Sequence, residues 1–123
     1  MRIYPKEYLY TDGKDAALDA DFVAAKDCGK VKAGSEAIYF KAGFKWYAVP
    51  VSRIRRMFRR MDMVYGKLCC GGRTYDVQML VIIDDQGREI EIHIGDDMQE
   101  KAEALYEQLK ALYPQVTFGK PKA

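Results

Sequence analysis

The chain is short of the side chains from which most active sites and metal centres are built. One His and three Cys in 123 residues leave few groups that exchange protons or bind metal near neutral pH. The cysteines are Cys28, Cys69 and Cys70, an odd number with two adjacent. That is no disulfide framework, and a reducing cytoplasm is the expected compartment. Long apolar runs are missing too: nothing approaches the roughly 20 residues of a membrane-spanning helix. The start, Met1-Arg2-Ile3-Tyr4-Pro5, lacks the apolar core of a secretory signal. Stable membrane insertion is therefore not expected. Excess charge of one sign is also absent, with 20 Lys+Arg against 18 Asp+Glu and a formal charge of +2. This excludes polyanion binding driven by bulk charge and argues against nucleic acid as a partner. Neither GxxxxGK[ST] nor GxGxxG occurs, so no phosphate-cradling loop is expected.

What is present suits one folded domain. Hydrophobic residues make up 49% and charged residues 31% of the chain, an ordinary globular balance at a length that supports a single core. Residues 1–35 read as an N-terminal extension with short helices. Leu18, Phe22, Ala25 and Cys28 recur at helical spacing over Asp15–Cys28, with Gly29 or Gly34 as stops. Tyr4, Tyr8 and Tyr10 precede them without a period and are expected to form a short edge strand or to pack over the core.

From Glu36 the pattern is that of strands. Ala37-Ile38-Tyr39-Phe40 and Trp46-Tyr47-Ala48-Val49 flank a turn at Ala42-Gly43, Gln78–Ile83 is apolar, and Glu89–Ile94 alternates strictly after Asp84-Asp85-Gln86-Gly87. A helix over Asp97–Tyr113 follows, with Asp97 and Glu100 as a capping box and Met98, Ala102, Leu105, Leu109 and Leu112 as its stripe. Pro114 ends it. The segment from Pro50 to Tyr65 fits two periods, and taken alone its residues slightly favour the helical one. Ile54, Met57, Phe58 and Met61 make a helical stripe, whereas Phe58, Arg56 and Arg60 oppose Met57, Arg59 and Met61 in a strand. The tail 120–123 is expected to fray.

The run Tyr47-Ala48-Val49-Pro50-Val51-Ser52-Arg53-Ile54, the basic stretch after it, the hairpin Val77–Ile94 and the terminal helix together resemble a bacterial pleckstrin-homology-like domain. Leu68-Cys69-Cys70-Gly71-Gly72 and Pro114-Gln115-Val116-Thr117-Phe118-Gly119 are similar to a small family of such domains from anaerobic Gram-positive bacteria. The resemblance covers residues 36–119. It implies an α+β fold: a curved antiparallel sheet or partly open barrel capped by the C-terminal helix, with one turn at Val51–Ile54 and an extended arginine segment. It says little about activity, because such folds host many binding roles.

Arginine clustering is the strongest functional signal. Arg53, Arg55, Arg56, Arg59 and Arg60 are five of the eight arginines in the chain. The balance is +9 over Lys26–Arg73 (12 basic, three acidic) and −7 over Asp84–Glu107 (nine acidic, two basic). Planar guanidinium forks suit phosphate or carboxylate, so these five residues with Lys45 are the candidate anion- or partner-binding set. The plainer reading is a solvated sheet face paired partly with Glu89 and Glu91 on a neighbouring strand. Head-to-tail contact between copies is a further expectation of the segregated charge. Cys69 and Cys70 are the candidate thiol or metal pair, which Cys28 and His93 would have to join in space; adjacent packing residues are the plainer reading. Aromatics around Trp46, interleaved with Lys41 and Lys45, fit either a core face or a stacking surface. No catalytic arrangement is visible and no cofactor is implied. The expected function is a non-catalytic binding or adaptor domain for an unidentified protein partner. Binding of a phosphoinositide-like headgroup or nucleotide by the arginine strand is the first alternative, and a small thiol or metal protein the second. A homo-oligomer is possible.

Overall fold

Alternating apolar positions and glycine turns fold most of the chain into two sheets, which share a core with the C-terminal helix. The computed structural model describes residues 4–11, 13–65, 74–96 and 99–119. The first sheet contains β1 (Leu9–Tyr10), β2 (Lys26–Asp27), β3 (Val31–Ala33), β4 (Ala37–Ala42) and β5 (Lys45–Pro50), in the order β1-β5-β4-β3-β2. The second contains β6 (Ile54–Tyr65), β7 (Thr74–Asp84), β8 (Glu89–Asp96) and β9 (Thr117–Phe118), in the order β8-β7-β6-β9. Pairing is antiparallel except for β9, which lies parallel to β6. Two helices complete the α+β fold, α1 (Ala16–Ala24) and α2 (Gln99–Leu112). The described strands form no closed barrel.

One cluster joins both sheets to α2. Val31, Ile38, Phe40 and Val49 come from the first sheet, Met57, Leu80, Ile82, Ile90 and Ile92 from the second, and Ala102, Leu105 and Leu109 from the helix. Burying each of the larger side chains contributes roughly 1.5–3 kcal/mol. The opposite face of the first sheet is covered by α1: Ala37, Tyr39 and Ala48 pack with Leu18, Phe22 and Trp46. On β8 the alternation read from the sequence is observed, with Ile90, Ile92 and Ile94 buried and Glu89 and His93 exposed.

Between Pro50 and Tyr65 the strand period is the one adopted. A single turn at Val51–Arg53 precedes β6, which pairs with β7 from Ile54↔Asp84 to Tyr65↔Thr74 with a bulge between Ile54 and Arg56. Both faces of β6 bury side chains, Met57 in the shared core and Phe58 against Met79 and Val81 on the other side. A helix would bury one stripe, so pairing with β7 overrides the local helical period.

Two helical expectations are corrected. The period over residues 15–28 yields one helix that stops at Ala24, and Ala25 is already extended. The reason is turn chemistry: Asp27 Oδ1 accepts from Gly29 N at 2.9 Å, Gly29 has φ +96, and Cys28 N donates to Val31 O. Cys28 therefore lies in the β2–β3 turn and packs against the shared core, off the Leu18–Phe22 stripe. Residues before Glu36 supply β1, β2 and β3 to the first sheet, and Tyr8 is buried beside β1. At the other end, Leu112 is 41% exposed and Tyr113 is buried in its stead, its hydroxyl donating to Gly34 O at 2.6 Å. The capping positions at Asp97 and Met98 lie outside the described residues.

Candidate functional site

The arginine segment is divided by its own strand. Alternation along β6 sends Arg56 and Arg60 to the Phe58 side and Arg59 toward α2, while Arg53 sits in the turn before the strand. Each then finds a partner within the chain. Arg53 bonds Asp85 at 3.1–3.3 Å and Glu7 at 2.6 Å, and lies over the Tyr8 ring. Arg55 donates to the Asp85 carbonyl and Arg56 to the Gly119 carbonyl, both at 2.9 Å. Arg59 pairs with Glu103 of α2 at 3.4 Å. Arg60 pairs with Glu91. That last pair is the one the sequence suggested, but Glu91 is on β8, so the contact crosses β7 instead of joining adjacent strands. All six described arginines, Arg88 included, are engaged internally.

Arg53 and Arg88 belong to a polar clasp around Asp84, which is fully buried. Asp84 accepts from the Tyr8 hydroxyl at 2.7 Å, from Arg88 Nε at 2.9 Å, and from the backbone N–H groups of Gln86 and Arg88. Burial pushes its carboxyl up, but these donors outweigh it and hold the carboxyl below its usual range. Tyr8 moves the other way: burial and the Asp84 carboxylate push its phenol up to about 12. Glu7 bridges Arg53 and Arg88 from outside, each at 2.6 Å. The clasp ties the N-terminal segment to the β7–β8 turn.

A second buried carboxylate holds α1 in place. Asp21 accepts from the Ser35 N–H and hydroxyl, the Glu36 and Ala37 N–H groups, and the Tyr39 hydroxyl, at 2.8–3.3 Å. Burial raises its pKa and this donor set lowers it more, for a net depression. Reading the sequence placed neither Asp21 nor the buried role of Asp84. An Asp within the Ala-rich helix, on the side of Leu18 and Phe22, was the available signal for the first.

The lysine-bearing end of the first sheet is different in kind. Gly43, at φ +63, turns the β4–β5 hairpin and leaves Phe44 at its tip, 99% exposed. Lys41 and Lys45 flank it, are exposed, and have no ion-pair partner among the described residues. Beside the tip lies a cleft of about 560 Å³ walled by Tyr4, Phe40 and Tyr47, with Lys41 on its edge. Tyr4 meets Phe40 edge-on and Tyr47 stacks on Phe40, so this aromatic wall is rigid. Lys45 was expected to act with the arginines; the structure groups it with Phe44 instead. The sequence pattern set this turn at Ala42-Gly43; Ala42 instead ends β4, paired with Lys45, so the turn residues are Gly43 and Phe44.

Cys69 and Cys70 lie outside the described residues. Cys28 is half-buried, and burial pushes its thiol up, away from thiolate. His93 is exposed and borders the Tyr4 cleft, while Cys28 borders another. Among the described residues no group of three His, Cys, Asp or Glu side chains is placed to hold a metal. No described helix is long and apolar enough to cross a membrane. Comparison with family models, curated proteins and solved structures finds no match.

Proposed function

We propose that the chain is a non-catalytic, cytoplasmic protein-binding module of pleckstrin-homology-like architecture, and that it meets its partner through the tip of the β4–β5 hairpin. The element order supports the architectural reading: an antiparallel run β2–β5, a second run β6–β8, then a helix packed on the shared core. The observation that carries the functional reading is Phe44, an almost fully exposed aromatic between two lysines that have no ion-pair partner among the described residues. An aromatic anchor in a polar rim is the common anatomy of a contact patch. The internal engagement of the arginines weighs against an anion site on β6, because an anion there has to displace existing carboxylate or carbonyl partners.

A photoreactive phenylalanine analogue placed at position 44, with a second protein carrying it at position 55, tests this in living cells. A discrete protein adduct from position 44 and none from position 55 is expected. Adducts from position 55 alone would overturn the assignment of the surface.

A further inference from the structure

A second cleft, of about 460 Å³, opens between the β2–β3 turn and α2. Its floor is apolar, made by Ile94 at the end of β8 and Leu105 of the helix, both buried members of the shared core. Its rim carries Lys30 from the turn, Lys101 and Gln108 from α2, and the Cys28 thiol in the wall. No acidic side chain is among the described residues lining it. Neither lysine has an ion-pair partner among the described residues.

The contrast with the cleft at β6 is informative. That one is lined by Arg59 together with Glu103 and Glu107, so its charge is compensated from within. The Lys30–Lys101 cleft has two cations and, among the described residues, no anion in its lining, above an apolar base of small-molecule size. Two like charges at one cleft repel, and an anion between them relieves this. Gln108 offers both a donor and an acceptor to the same head group.

We propose that this cleft binds a small amphipathic anion, a carboxylate or phosphate monoester with an aliphatic tail of roughly six to ten carbons, sized to the volume range of ligand sites. The head group sits between Lys30 and Lys101, and the tail lies on Ile94 and Leu105. This goes beyond protein binding by the hairpin tip and does not depend on it.

Cys28 serves as the reporter. The intact protein is treated with N-ethylmaleimide alone and with octanoate, octyl phosphate, octanol or acetate, and modification of the Cys28 peptide is followed by mass spectrometry. Octanoate or octyl phosphate is expected to slow Cys28 modification at millimolar concentration, and the more protective of the two identifies the head group. Octanol and acetate are expected to protect about tenfold less well, since each lacks one half of the recognition. Lys30→Ala and Lys101→Ala should each weaken protection about tenfold. Ala104→Trp, at an exposed helical position lining the cleft, should abolish it. Absence of protection by either anion overturns the proposal. So does equal protection by octanol, or protection indifferent to both lysine substitutions. Lys30 also borders the Tyr4 cleft beside the hairpin tip, whereas Lys101 does not, so Lys101→Ala separates the two readings: it should weaken protection and leave partner capture from position 44 unchanged.

Discussion

The Asp21 carboxylate occupies the space that a side chain at position 34 would need. A Cβ built on Gly34 overlaps that carboxylate and comes within 3.0 Å of the Ala37 carbonyl. A free carboxylate would swing aside at little cost, but this one is fixed by donors from Ser35, Glu36, Ala37 and Tyr39. Gly34→Ala is therefore expected to lower unfolding free energy by about 2–4 kcal/mol, the cost of breaking charge-assisted bonds at a buried site. A urea unfolding curve checks this. A midpoint within error of wild type would show that the Asp21 latch does not hold α1 on the sheet.

The two buried carboxylates set the acid limit of the fold. Asp84 and Asp21 both have folded-state pKa values below the ordinary 3.8. In the window between the folded value and 3.8 the unfolded chain takes up the protons first, so stability rises with pH there. Their contribution is complete above the unfolded value and is lost as pH falls through it toward the folded one. Asp84→Asn should thus destabilise at neutral pH and flatten the fall in stability below about pH 4. Tyr8→Phe, which removes one donor from Asp84, should produce a weaker version of both effects. Unfolding midpoints measured between neutral pH and the acid transition decide it. An unchanged acid slope in Asp84→Asn would remove this carboxylate from the account.

Among the arginines the structural burden is uneven. Arg53 joins Glu7, Asp85 and the Tyr8 ring, whereas Arg55 makes one bond to a backbone carbonyl in an exposed setting. Arg53→Ala is expected to lower the urea midpoint measurably and Arg55→Ala to leave it close to that of wild type, in keeping with partly exposed ion pairs. Raising the salt concentration should narrow the gap. Equal losses would contradict the ranking.

Much of the β-rich body was legible because its signals are local. Ile90, Ile92 and Ile94 alternate, Asp84–Gly87 turns the chain, and Ala102, Leu105 and Leu109 repeat at helical spacing. Local period failed where a distant segment decided the outcome. Met57 and Phe58 fit a helix until β7 offers both faces a partner, and Cys28 fits the α1 stripe until Asp27 and Gly29 turn the chain back into β3. The arginine cluster was visible as charge. That charge alone did not show where Glu7, Asp85, Glu91, Glu103 and the Gly119 carbonyl would arrive, since all five are more than 30 positions from the arginine they meet. Phe44 was visible as composition but not as a site, because exposure is a tertiary property.

The central claim is that charge at β6 serves the fold and the hairpin end serves binding. It is tested most directly by measuring urea midpoint and partner capture on the same two variants, Arg53→Ala and the double variant Lys41→Glu/Lys45→Glu, each carrying the photoreactive residue at position 44. The account predicts a lowered midpoint with capture intact for the first, and an unchanged midpoint with capture lost for the second. The reverse pattern, with capture lost in Arg53→Ala at unchanged stability and retained in the hairpin variant, would contradict it.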